Sequence, residues 1–74
     1  MQLSRYDTVR MNNKEYYVMD VIKCNNKQYV YMVDSESDEV LLLRMEKDGF
    51  VGVTKEEAEK AGLQFKEKYY PENN

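Results

Sequence analysis

The chain contains no histidine and only one cysteine, Cys24. Without histidine there is no Ser–His or Cys–His pair to activate a nucleophile. The commonest zinc ligand is also missing, and a lone thiol leaves at most one soft ligand. No internal disulfide can close. Carboxylates remain as acids and bases, but they cluster in loops and on a helical stretch, where a solvated face explains them. The expectation is a non-enzyme with no catalytic residue, no metal site and no cofactor.

Lysine and arginine form no basic block, and the net charge is -3. A phosphate-backbone binder needs a concentrated positive face. The longest apolar run, Val40-Leu41-Leu42-Leu43, is far too short to span a bilayer. Met1 is followed by polar residues and no export-type apolar segment. A soluble, cytoplasmic domain is expected, a compartment in which a single cysteine is at ease.

The length of 74 residues fits one domain. A core of that size supplies only about 3–5 kcal/mol unless disulfides, a metal or oligomerisation help. Oligomerisation is the helper that composition leaves open. Residues 1–70 are read as the domain and 71–74 as a tail. There is no internal repeat.

Strands are expected at 6–11, 15–24, 28–34, 39–46 and 50–53, where tyrosine and valine are enriched. Asn12-Asn13 and Asn25-Asn26 separate the first three. Asparagine tolerates the positive φ that two-residue hairpin turns require. Asp48-Gly49 marks another turn, and Ser35-Glu36-Ser37-Asp38 a longer loop.

Two-residue turns set a register. The first puts Arg10 opposite Glu15 and Val9 opposite Tyr16, both favourable cross-strand pairs. The second puts Ile22 opposite Tyr29, Val21 opposite Val30, Met19 opposite Met32 and Val18 opposite Val33. One face then carries Val9, Tyr16, Val18, Ile22, Tyr29, Tyr31 and Val33, and is expected to be the core. The other carries Tyr17, Met19, Val21, Val30 and Met32. A sheet with one wet side alternates apolar and polar residues. This one wants cover on both sides: from its own curl, from a helix or from a partner.

Thr54 and Glu57 have capping-box spacing, with Val53 and Ala58 at the staple positions. A helix over 55–61 follows. Beyond it, two readings stand. Gly62 fits a helix end with Leu63 folding back, whereas Ala58, Ala61, Phe65 and Tyr69 share one helical stripe. Residues 63–70 are therefore helix or a final strand.

Three further features bear on chemistry. Cys24 ends a strand beside Lys23 and Lys27, and is read as a small apolar residue rather than a reactive thiol. Asp34-Ser35-Glu36-Ser37-Asp38-Glu39 begins like a calcium loop. It then has Glu39 where glycine is needed and Met45 where a bidentate glutamate is needed. Seven tyrosines and five methionines are the most unusual counts. Both residue types are enriched at protein–protein interfaces. Tyr17, Met19, Val21, Val30 and Met32 are therefore the candidate interface.

The residues Tyr6-Asp7-Thr8-Val9, Lys14-Glu15-Tyr16-Tyr17-Val18-Met19-Asp20-Val21 and Lys27-Gln28-Tyr29-Val30-Tyr31 resemble the opening strands of small SH3-like barrels. Residues 29–69 are similar to small acidic proteins of Gram-positive bacteria and their mobile elements, a β-meander followed by an amphipathic stretch. These resemblances imply fold and no functional residue. The expected architecture is α+β, a curved antiparallel meander or SH3-like barrel of about five strands with one C-terminal helix. The expected function is a protein-interaction module that binds a protein partner or a second copy of itself as a homodimer. Membrane and small-molecule partners are not expected. The alternatives are a nucleic-acid or ribosome-associated module, or an acidic inhibitor that uses residues 34–39 to imitate a polyanion.

Overall fold

A computed structural model describes residues 2–70; the tail expected at 71–74 lies outside the described residues. Five antiparallel strands run in chain order, β1 (Thr8–Met11), β2 (Lys14–Cys24), β3 (Lys27–Asp34), β4 (Val40–Glu46) and β5 (Gly49–Gly52). One helix follows, α1 (Lys55–Tyr69). The sheet curls into a half-barrel, with β1 and β5 as its edges.

The asparagine pairs do what their backbone tolerance suggests. Asn12 and Asn13 have φ of 50° and 65°, and Asn25 and Asn26 have 53° and 64°. Both turns are therefore of the mirror-image kind whose twist matches the flanking strands. Arg10–Glu15, Val9–Tyr16, Ile22–Tyr29 and Val21–Val30 pair as expected.

The register expected farther along β2 does not hold. A bulge between Val18 and Asp20 inserts one residue, so Val18 faces Met32 and Tyr17 faces Val33. A bulge of one residue reverses side-chain parity on the strand beyond it. Val18 and Val21 therefore share a face, and Asp20 lands on the other. The face expected as the core is corrected accordingly. Val18, Val30 and Met32 are fully buried together. Val9, Tyr16, Leu41, Leu43 and Phe50 curl around them from the neighbouring strands.

The strand limits also shift: β2 and β3 begin one residue earlier than expected, β4 one later, and β5 ends at Gly52 rather than at 53. Tyr6 is not in β1: its φ of 75° bends the chain, and Asp7 closes the bend through its carboxylate on the Ser4 N–H (2.8 Å). β5 begins at Gly49 rather than at 50, after a Lys47-Asp48 turn. Gly49 has φ 140°, a backbone state that side-chain-bearing residues rarely adopt.

The helix starts where the capping box places it. Thr54 Oγ1 accepts from the Glu57 N–H (3.1 Å), and Glu57 Oε1 accepts from the Thr54 N–H (3.0 Å). It then runs straight through Gly62, so residues 63–69 are helix and not a strand. The stripe reading prevails because Ala61 and Phe65 are buried. Phe65 packs on Tyr31 with ring centroids 4.7 Å apart. Packing of this kind offsets the helix cost of glycine, about 1 kcal/mol.

Candidate ligand cleft

Two ionic clusters pin α1 to the sheet, one near each end. At the N-terminal end, Glu57 accepts from the Tyr29 hydroxyl of β3 (2.6 Å) and from Arg44 Nη1 of β4 (2.7 Å). The Tyr29 hydrogen bond, with help from the Thr54 N–H and Arg44, holds the Glu57 carboxyl down at about 2. The same bond, together with burial, pushes the Tyr29 phenol up to about 12. Arg44 also donates to Glu46 (2.6 Å).

The second cluster lies toward the C-terminal end. Asp20 is buried, and its Oδ2 accepts from Lys68 Nζ and from the Tyr69 hydroxyl, each at 2.6 Å. Its Oδ1 accepts from the Val21 N–H (2.8 Å). Burial acts to raise the Asp20 pKa, but these three donors outweigh it and hold the group below its ordinary value. Opposite charges favour the ionised carboxylate when they also hydrogen-bond to it. The bulge is what makes this cluster. It turns Asp20 out of the apolar interior and under the helix.

Held at these points, the C-terminal half of α1 stands over the sheet and leaves a cleft of about 810 Å³. Tyr17, Met19, Tyr31 and Val33 line it from β2 and β3. Gly62, Phe65, Lys66, Tyr69 and the adjoining Tyr70 line it from the helix side, and Arg5 and Tyr6 from the segment before β1. Arg5 is well placed by its neighbours. Its Nε donates to the Met19 carbonyl (3.1 Å), and its guanidinium lies 5.2 Å from the Tyr6 ring centroid and 5.7 Å from that of Tyr69. Guanidinium over an aromatic face is attractive through the ring quadrupole.

The candidate interface is thus split in two. Tyr17 and Met19 face the cleft and keep 44% and 43% of their surface exposed. Val30 and Met32 are at 0% exposure, and Val21 packs half-buried against them. Val30 and Met32 are core, corrected from the single face expected of them: the half-barrel's own curl covers them and leaves no part of either for a partner, while Val21 packs beside them and keeps part of its surface. Arg5, Tyr6, Lys66 and Tyr70 were not anticipated at this site. The helical stripe that includes Phe65 and Tyr69 was visible, but not what it would face.

The acidic loop lies apart from the cleft. Asp34 is buried, accepts from the Glu36 N–H (2.9 Å) and has Lys14 Nζ at 3.6 Å. The Glu36 N–H is the main reason its pKa is lowered. Glu36, Asp38 and Glu39 are exposed. Among the described residues no three or more histidine, cysteine, aspartate or glutamate side chains are grouped to hold a metal. Cys24 is a half-buried free thiol at the end of β2. Among the described residues no helix is long and apolar enough to cross a membrane.

The chain matches no family model, no curated protein and no solved structure with which it was compared.

Proposed function

We propose that this chain is a non-catalytic protein-interaction module whose contact surface is the cleft beside α1. The observation that carries the reading is the exposure of Tyr17 and Met19 on an apolar, aromatic-lined recess. Scattered exposed apolar residues need no explanation, but a concave group of them marks a binding surface. Tyrosine supplies a rigid anchor, and methionine a flexible, polarizable one that adapts to a partner's shape. The cytoplasm is the compartment assigned to this role, since a lone unpaired cysteine suits it. A homodimer through this surface would use Tyr17 and Met19 without the rest of the interface first expected.

In-cell photo-crosslinking tests the reading. A benzoylphenylalanine at position 19 should give discrete protein adducts, and one at Lys47 should not. An adduct of twice the chain's mass identifies the partner as a second copy. Equal or absent adducts at the two positions would overturn the reading.

A further inference from the structure

The interaction reading says where a partner sits; the charges around the cleft say what kind of segment fits, and this inference rests on that reading. The chain is acidic overall, yet among the described residues the lining holds Arg5 and Lys66 and no aspartate or glutamate. The acid nearest in sequence to Met19, Asp20, is already matched by Lys68, Tyr69 and the Val21 N–H. Lys66 and Arg5 form no salt bridge among the described residues.

Arg5 is the more informative of the two. Among the described residues only its Nε has a hydrogen-bond partner, the Met19 carbonyl. The guanidinium is held by that bond and by two tyrosine rings, while its terminal nitrogens keep their donors. Such a fork matches a carboxylate in geometry as well as charge. A preorganised donor loses little side-chain freedom when it is engaged. Beneath it lies a recess of about 810 Å³, within the span of roughly 300–1,000 Å³ usual for ligand clefts.

We propose that the cleft takes a linear peptide segment in which an aromatic or aliphatic anchor is flanked by carboxylates. The anchor lies against Tyr17, Met19, Tyr31 and Phe65, and the carboxylates meet Arg5 and Lys66. A single-stranded nucleic acid also uses aromatic rings and cations, but it needs a positive groove that tracks its backbone. Two cations in a chain of net charge -3 favour the peptide.

The test is selection of a random linear peptide display library on the intact chain. The strongest peptide is then synthesised and titrated by fluorescence anisotropy against the parent, Arg5→Gln, Lys66→Glu and Met19→Ser. Oligo-dT serves as a parallel probe. Lys66→Glu keeps the test usable if Arg5→Gln disturbs folding, because Lys66 is exposed. Enrichment of Asp or Glu beside Phe, Leu or Met is expected. Binding should weaken at least about tenfold in Lys66→Glu and Arg5→Gln, in line with loss of a charge-assisted contact. Peptides without acid enrichment that bind the parent, need Met19 and ignore both charge changes would overturn the acidic occupant while leaving the cleft as the interaction surface. No enrichment, or binding indifferent to all three variants, would overturn both. Oligo-dT binding that Lys66→Glu abolishes, with no peptide selected, would assign the cleft to nucleic acid instead.

Discussion

Glu57 is the residue on which the helix–strand junction turns. It closes the capping box and also receives Tyr29 and Arg44. Its carboxyl titrates at about 2 in the fold, against an ordinary 4.5. A carboxyl held low contributes stability above its ordinary value and loses it as the pH falls toward the folded one. Acid unfolding should therefore steepen below about pH 4.5. Glu57→Gln should flatten that limb, as read by far-ultraviolet circular dichroism across pH 2–6. Asp20, also held low, adds to the limb with the same sign. Tyr29 works in the opposite direction. Its phenol ionises at about 12 in place of 10.0, so the stability it brings is present below pH 10.0 and is lost as the pH approaches 12. Ultraviolet titration should show Tyr29 ionising late, in company with Tyr69, whose bond to Asp20 also raises its phenol, and Tyr29→Phe should shrink that late step.

At the scale of elements, α1 depends on its cap and on its packed stripe. Thr54→Ala removes the side-chain acceptor for the Glu57 N–H and should cost about 0.5–2 kcal/mol in urea unfolding. Gly62 offers the converse. It lies within the helix, and a Cβ there meets nothing within 4 Å. Gly62→Ala should therefore stabilise the chain by about 0.5–1 kcal/mol. The same substitution adds a methyl to the cleft wall and should weaken any ligand seated there.

The helix shows how far local signals reach. Its start was legible in Thr54 and Glu57, because capping depends on residues three apart in the chain. Its end was not. Gly62 is a sound stop signal by local chemistry, and only the burial of Ala61 and Phe65 against the sheet decides that the helix passes through it. The bulge in β2 was half-legible. With plain alternation, Asp20 would share a face with Val18 among apolar residues, which is costly without partners. That conflict is a sequence signal for a change of parity. The partners that resolve it, Lys68 and Tyr69, lie nearly fifty positions away.

The whole molecule covers the sheet twice, by its own curl on one side and by α1 on the other. This arrangement separates two methionines that strict alternation would pair. Met32→Ala opens a cavity in the fully buried core and should cost about 2–5 kcal/mol. Met19→Ser touches an exposed rim and should stay within about 0.5 kcal/mol of the parent. Chemical denaturation of the two variants side by side measures the split. Equal losses would mean that Met19 is core and the cleft is closed in solution.

The sequence by itself determined the α+β class, the order and approximate limits of the strands, both asparagine hairpins with their near-turn registers, and the helix start. Each of these rests on residues that are neighbours in the chain or across a two-residue turn, so short-range sterics and hydrogen bonding suffice. Tertiary structure alone decided which side of the sheet is core, where the helix ends, and that Arg5, Tyr17, Met19 and Tyr69 meet around one cleft. Those outcomes depend on a single inserted residue at the bulge and on Asp20 reaching Lys68 and Tyr69. A one-residue change of parity reassigns every side chain beyond it, and only the packed chain shows which parity leaves Asp20 with its partners.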